Sequence, residues 1–403
     1  MYRLILKLAW KNAFLRLSRT LLVVLMIAVS MSMMLSIQGI YDGMTSNLID
    51  KTKRSDCGEI SIYNPKYRLN KNLDNVIKDA KKIENALSKR QDVQAVVRRL
   101  SVDGLSATAR KSAFSSIVGI DLDAEIAFGR FDEFLVDGKL LLDKRGVLIG
   151  KELAKTLKVH VGSKVIFSTQ DSSGEINAMA VKIRGVIQTS NVVLDRSALY
   201  VDIKILEKFL GVSENEGTQI AIRSDSKTLK QVLQQEYPQL QVMDFLELNP
   251  MLKQMQEMMH IFNSITFFIV ILVVFIGILG VMYVSILDRI REFGIMRAVG
   301  MEYKYIRIEI FFEALFVGLV GYGAGAILGL LSLLYLHHVG LNLSHFSEGL
   351  ASFGLDTVIY ADISSSYFIN TFFAIVSASL LSVILPLRKI KHLNPIEVIK
   401  ADT

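Results

Sequence analysis

Four long stretches of this chain lack the alternation of apolar and polar positions that a water-facing element shows. They run from Thr20 to Ile40, Ile261 to Ile286, Ile308 to Leu336 and Tyr367 to Leu387. Each is free of Asp, Lys and Arg, with Glu309 and Glu313 only at the entrance of the third. A helix rises about 1.5 Å per residue, so about 20 such residues cross a hydrocarbon core of about 30 Å. Inside hydrocarbon every backbone N–H and C=O must find its partner within the segment, which leaves the helix as the conformation of all four. A cationic leader before an apolar run also opens a signal peptide. Here the first run is longer than such a region and no small-x-small site follows it, so an uncleaved anchor is expected.

Between the first two spans the pattern becomes that of a folded aqueous domain. Gly58 to Tyr63 alternates as a strand does, and Leu73, Val76, Ile77, Ala80, Ile83 and Leu87 repeat on one face of a predicted helix from Leu73 to Arg90. Further strands are expected at Val93–Leu100, Phe114–Ile120, Val147–Ile149, Val165–Thr169, Ala178–Ile187, Leu199–Ile203, Gln219–Ile222 and Leu240–Phe245. Short helices are expected at Lys151–Leu157, Ile203–Leu210 and Lys227–Gln235. Asp171-Ser172-Ser173-Gly174 reads as a hairpin turn, and a β-rich subdomain is expected at about 131–202. The fold class is thus membrane α-helical, four transmembrane helices with a large α+β extracytoplasmic domain between helices 1 and 2.

Charge orients the spans. Arg3, Lys7, Lys11, Arg16 and Arg19 precede the first, Arg289, Arg291, Arg297, Lys304 and Arg307 separate the second and third, and Arg388, Lys389, Lys391 and Lys400 follow the fourth. The positive-inside rule places these three segments in the cytoplasm, and the segment 337–366, with Glu348, Asp356 and Asp362 but no Lys or Arg, outside. The predicted organisation is an amphipathic interfacial helix at 1–19, spans at 20–41, 261–287, 308–336 and 367–387, an outer domain at 42–260, a cytoplasmic loop at 288–307, an outer loop at 337–366 and a cytoplasmic tail at 388–403. In the first helix Leu6, Ala9, Trp10, Ala13 and Leu17 form one stripe beside Arg3, Lys7 and Lys11, as on a helix lying along a membrane face.

The 51% hydrophobic content of the 403 residues agrees with a membrane class, and the net charge of +7 is concentrated beside the spans, where orientation rather than nucleic acid explains it. One cysteine, Cys57, forms no intrachain disulfide and lacks the context of a lipid anchor. No reaction centre is expected, with His160 the one histidine of the outer domain ahead of the helix entering the second span. The nearest approach to a phosphate loop, Gly104 through Lys111-Ser112, lacks its second glycine and displaces the lysine. His337, His338 and His345 are better explained as interfacial polar residues than as a metal site, so no metal is expected. ATP and Mg are expected on a partner ATPase, with no cofactor bound by this chain.

The loop between the second and third spans reads Arg289-Ile-Arg291-Glu292-Phe293-Gly294-Ile295-Met296-Arg297-Ala298-Val-Gly300. Its mixture of charge and apolar groups suits a solvated connector and a mixed interface equally. The run resembles the signature of the FtsX/MacB/LolC-LolE superfamily of ABC transporter permeases. The resemblance extends to Glu313-Ala-Leu with Gly318 and Gly321, to the ending Pro395-Ile-Glu-Val-Ile-Lys400, and to Val118-Gly-Ile-Asp121 and Val147 through Ala154 in the outer domain. It implies a MacB-like periplasmic core domain, with Arg289, Arg291, Glu292, Phe293, Gly294, Ile295, Met296, Arg297, Ala298 and Gly300 coupling the chain to an ATPase. Gly321, Gly325 and Gly329 form a small-xxx-small stripe, taken as helix packing.

Within the superfamily, length and layout favour the lipoprotein-releasing LolC/LolE type, with MacB-like efflux and FtsX-like signalling to an outer partner as alternatives. Met251, Met255, Met258, Met259 and Phe262 recur along one helical face, and Met33, Met34 and Met44 join them from the first span. Methionine adapts to irregular apolar partners, so as a group these residues are candidates for a cleft holding acyl chains, and singly they are ordinary packing. The implied mechanism is mechanotransmission. A cytoplasmic dimer of ABC ATPase subunits closes, and a lipoprotein is expelled outward from between this chain and a second permease subunit, a copy or a related partner. Exposing an acyl chain costs about 0.8 kcal/mol per CH₂, which calls for ATP and for a periplasmic carrier. The hairpin Ser168–Val181 departs from the LolC pattern in lacking proline, so a LolE-like role or a homodimer stays open. The implied location is the inner membrane of a Gram-negative-type envelope, multi-pass, with both termini cytoplasmic.

Overall fold

The computed structural model describes residues 2–68, 70–189, 191–346, 349–350 and 354–391, and the chain forms two units. The first comprises Met1–Met44, Gln256–Leu343 and Val358–Thr403, the second Thr45–Met255 and Ser344–Thr357. Half of the loop expected to stand alone between the third and fourth spans therefore belongs to the second unit. There Asp356 accepts hydrogen bonds from Asn47 at 2.8 Å and Lys51 at 2.6 Å. Glu348 and the ending Pro395–Lys400 lie outside the described residues.

Four helices of the first unit are long and apolar enough to cross a membrane. They include α2 (Leu17–Thr52), α10 (Pro250–Asp288) and α12 (Tyr303–His338), each longer than its expected span. The fourth, α13 (Ser365–Ser382), stops at Val383 and restarts as α14 (Ile384–Lys391), where an unbroken span to Leu387 was expected. Pro386 explains the break, because it has no N–H to return to Ser382 and is accommodated only in the opening turn of a new helix.

Lipid is as apolar as leucine, so apolar burial gives these helices no drive to associate and close packing must do it. A Cβ added to Gly321 would stand 2.8 Å from Ile27, one at Gly325 2.9 Å from Met31, and one at Gly329 2.4 Å from Leu35. The small-residue stripe is thus the seat of α2 on α12, and its partners Ile27, Met31 and Leu35 are completely buried. Helix α1 (Tyr2–Ala13) packs on α12 as well. Of the expected stripe, Ala9 and Ala13 are buried together with Ile5, while Leu6, Trp10 and Leu17 are exposed. At the edge of this contact Phe316 of α12 meets the exposed Trp10 ring edge-on at 5.2 Å.

The second unit is organised by β2 (Ala95–Ala107). Its first half pairs with β9 (Gln219–Arg223), which leads on to β1 (Ile60–Tyr63) and β10 (Gln241–Asp244). Its second half pairs with β3 (Ser112–Ile120) and β6 (Lys164–Gln170). From β3 the pairing continues through β8 (Ala198–Asp202), β5 (Gly146–Gly150) and β7 (Ile176–Ile187) back to β6, so six strands close into a ring, with β4 (Leu135–Gly138) added on β7. The β-rich subdomain therefore does not begin near residue 131, since β2 and β3 are its staves. Gly104 lies inside β2, opposite Ser115, and not in a phosphate loop.

Helices α3 (Ala80–Leu87), α4 (Leu122–Gly129), α5 (Lys151–Leu157), α6 (Val192–Ser197), α7 (Ile203–Leu210), α8 (Leu229–Glu236) and α9 (Phe245–Leu248) cover this sheet. Asp202 starts α7 by accepting from the N–H groups of Lys204 and Ile205, and Gly211, at φ 67°, ends it. The helix expected from Leu73 to Arg90 is confined to α3. Leu73–Asn75 form a 3₁₀ turn capped by Asn72, and Ile77 bridges Gly217 in extended conformation. All six residues of its predicted apolar face are nonetheless buried.

Neighbouring arginines on β2 point to opposite faces, and both are buried. Arg98 meets Glu207 of α7 at 2.8 Å and Arg99 meets Glu125 of α4 at 2.7 Å. In α6 the buried Asp195 accepts from the Thr189 N–H and hydroxyl, each at 2.8 Å, and burial pushes its carboxyl up to about 7.

Two predictions follow from packing and burial. Gly325→Val should overpack the α2 contact and cost about 1–3 kcal/mol, read as a lower melting midpoint of the detergent-solubilised chain. Because the folded-state pKa of Asp195 lies above the unfolded one, its stabilising contribution is complete near pH 4 and is lost as pH rises towards 7. Amide exchange across residues 192–202 should accordingly quicken between about pH 4 and 7 and level off above it, after correction for intrinsic rates, and Asp195→Asn should flatten that dependence.

Candidate functional site

Two features of the first unit combine polar chemistry with apolar surroundings. One is a cleft of about 770 Å³ between α2, α10 and α13. At one end its walls carry Gln38 and Asp42 of α2, His260, Asn263 and Ser264 of α10, and Asn370 of α13. At the other they carry Ile271, Leu272 and Phe275 of α10 with Ala378 and Leu381 of α13. Because α10 and α13 both run opposite to α2, the outer end of α2 meets the first turns of both, and the cleft is graded from polar to apolar along its length. Asp42 is held by the Tyr367 hydroxyl. Among the described residues no protein group hydrogen-bonds the side-chain amides of Gln38, Asn263 or Asn370. An unmatched amide at membrane depth is costly unless water or a ligand meets it.

The structure separates the methionines that sequence reasoning grouped together. Met34 lines the cleft. Met33 is 64% exposed on the outside of the bundle, and Met258, Met259 and Phe262 lie on α10 without lining the cleft, Met258 and Phe262 more than half exposed. Met44 is half-buried, and Met251 and Met255 belong to the second unit. The stripe is real as a helical pattern but does not converge on one site. The signal that was missed is the polar set: Gln38, Asn263 and Asn370 interrupt otherwise apolar runs, and an amide within a span asks for a partner.

The second feature is α11 (Ile290–Ala298), the short helix joining α10 to α12. Arg289, at its start, faces inward. Its guanidinium donates to Glu309 at 2.7 Å and to Glu313 at 3.1 Å, both on α12, and to Glu292 at 3.1 Å, and it lies 4.9 Å over the ring of Phe293. Asn12 of α1 donates to Glu309 and Ser285 of α10 to Glu313, each at 2.9 Å. The preceding residue, Asp288, accepts from Arg19 at 2.8 Å and from Arg16. Two adjacent residues of opposite charge thus fasten the start of α11 to the α1–α2 junction, to α2 and to α12.

This divides the residues expected to meet an ATPase. Arg289, Phe293 and Gly294 are turned into the bundle, Met296 and Arg297 are half-buried, and Arg291, Glu292, Ile295, Ala298 and Gly300 form the exposed side. Val299, 83% exposed, and Gly300, at φ 95°, end the helix on that side. Removing one partner of a buried ion pair strands the other charge. Arg289→Gln should therefore destabilise the solubilised chain by about 3–5 kcal/mol in a thermal melt, and adding Glu309→Gln and Glu313→Gln should recover most of that loss.

Comparison with known proteins gives matches along most of the chain. Residues 20–239 match the MacB-like periplasmic core domain, and residues 264–395 the FtsX-like permease C-terminal model. The chain is 24% identical over 372 residues to macrolide export ATP-binding/permease protein MacB 2 of Aeromonas hydrophila, covering 85% of this chain and 55% of that protein. It is 37% identical over 92 residues to MacB 1 of the same organism, covering 23% and 13%. The chain thus spans about half the length of the first relative and much less of the second. Among solved structures, the periplasmic region of MacB from Actinobacillus actinomycetemcomitans aligns over 49% of this chain and 92% of its own, at 20% identity and TM-score 0.33. The extracellular domain of the noncanonic ABC-type transporter YknZ from Gram-positive bacteria aligns over 46% and 98%, at 17% identity and TM-score 0.31.

Proposed function

Because this chain belongs to the FtsX/MacB/LolC superfamily of ABC transporter permeases, we propose that it is the membrane subunit through which a separate ATPase extracts lipoproteins from the bilayer. The observation that supports this reading is the graded cleft. A lipid-anchored protein has a polar junction beside long acyl chains. The amides of Gln38, Asn263 and Asn370 suit the junction, while Ile271, Leu272 and Phe275 suit the chains. In the orientation given by the basic segments, the polar end faces outward, the direction in which the head of such a cargo must leave.

The drive comes from the other side of the membrane. A dimer of cytoplasmic ATPase subunits, which bind ATP and Mg, meets the exposed side of α11, and Arg289 passes its displacement to α12. Since α2 is seated on α12 through Gly321, Gly325 and Gly329, movement of α12 shifts one wall of the cleft. A second permease subunit completes the transporter, and a periplasmic carrier receives the cargo. ATP is used by the partner, and the work done here is mechanical.

A second reading, export of a macrolide-like amphiphile, draws on the names of the two relatives. The readings separate on what occupies the cleft. The chain co-purified with its ATPase in mild detergent should retain acylated peptide detectable by mass spectrometry. Asn263→Leu combined with Asn370→Leu should lower that occupancy about ten-fold, as expected when two hydrogen bonds of about 0.5–1.5 kcal/mol each are lost. A wild-type complex that retains no acylated peptide and binds a macrolide instead, through the same amides, would establish the second reading.

A further inference from the structure

The wall of the six-stranded ring in the second unit carries a surface that neither the cleft nor α11 explains. On the outer face of β3, β2, β6 and β7, one rung places Ala107 opposite Ile166, and Ile166 opposite Ala180. The next places Phe114 opposite Leu105, and Leu105 opposite Ser168. Phe114, Ile166 and Leu105 are 59%, 50% and 45% exposed. An aqueous sheet face normally alternates buried apolar with exposed polar side chains, and here the exposed positions of two successive rungs hold no charge.

The border of this patch is as unusual as its centre. Two residues along the same face, Lys164 stands directly opposite Lys182, and the adjoining β2–β3 turn carries Arg110 and Lys111. Like charges directly opposite on a sheet repel. Among the described residues none of these four side chains has an acidic partner within ion-pair distance, although exposed cations elsewhere in the unit commonly do. The cations lie at the end of the strands away from the 171–174 hairpin, so the patch is distinct from that turn.

We propose that this face docks a soluble extracytoplasmic protein whose own surface sets carboxylates around an apolar centre. The location rests on the outward placement of this unit given above; the docking itself rests on the patch. Charge complementarity selects the occupant. A second copy of this chain supplies a poor complement, because across the patch the border carboxylate is Asp103, already held by Lys71 at 3.1 Å. Acidic lipid would satisfy the lysines, but the apolar side chains stand on strand positions of a ring wall and not on a protruding loop, a shape that meets another folded surface better than it enters a bilayer. The patch is small, which makes the contact a transient one that salt weakens.

The test uses the full chain in its native membrane, with a photoreactive phenylalanine analogue at position 114 or 166. Irradiation should yield an adduct with a water-soluble protein, identified by mass spectrometry. The yield should fall about ten-fold in Lys164→Glu combined with Lys182→Glu, and again when ionic strength is raised from about 50 to about 500 mM. Exchanging the adduct partner's acidic residues for lysine should restore the yield with the doubly reversed chain. Unchanged amide exchange in the β2–β3 and β6–β7 segments would show that the reversal leaves the ring folded. Adducts only with lipid, only with a second copy of this chain, or indifferent to the lysine reversal would overturn the proposal, as would no adduct at all. No transport is measured, so the docking face stands or falls separately from the cargo reading.

Discussion

A helix in hydrocarbon must satisfy its own backbone, and it gains nothing from hiding one apolar side chain against another when lipid serves equally well. What holds such helices together is closeness of approach. In the first unit that closeness is concentrated at Gly321, Gly325 and Gly329, which admit Ile27, Met31 and Leu35 to the backbone of α12, and at Gly318, where a Cβ would collide with Ser379 of α13. Helices α2 and α13 are thereby fixed on α12. The cleft opens beside them, on the side completed by α10, many of whose apolar side chains remain exposed.

The polar groups of the same unit obey a related rule. Glu309 and Glu313, one turn apart on α12, share the single guanidinium of Arg289 and take further hydrogen bonds from Asn12 and Ser285. Buried charges of this kind add little net stability but hold their partners in one arrangement. The arrangement held here is the angle at which α11 leaves the bundle. The amides of the cleft are the opposite case, polar groups left open at membrane depth, and the contrast separates matched from unmatched polarity within one set of helices.

Much of this architecture was legible in the sequence. The spans follow from unbroken apolar runs, and α5 and α7 match their predicted ends because local signals bracket them: Gly150 before the first, Asp202 and Gly211 around the second. The helix predicted over Leu73–Arg90 shows the limit of periodicity. Its apolar positions are all buried, but in a 3₁₀ turn and a bridge for the first half, because burial and helical spacing coincide there by chance. Nothing in the sequence near Arg98 and Arg99 indicates that they are buried. The carboxylates that let them be buried lie 109 and 26 residues away. The methionine stripe failed as a site for a similar reason: a helical repeat states which residues share a face, and only tertiary packing states what that face meets.

The strand β2 belongs to the open half of the sheet through β9 and to the closed ring through β3 and β6. Its side chains alternate between two interiors at once, with Val97 and Leu100 fully or almost fully buried and the two arginines locked to different helices. A single-residue insertion or deletion within 95–107 would invert every side chain beyond it and disorganise both halves together. Length variation among homologous chains should therefore collect in the 108–111 and 171–174 turns and spare this strand, which makes β2 the natural anchor for aligning distant members whose loops have diverged.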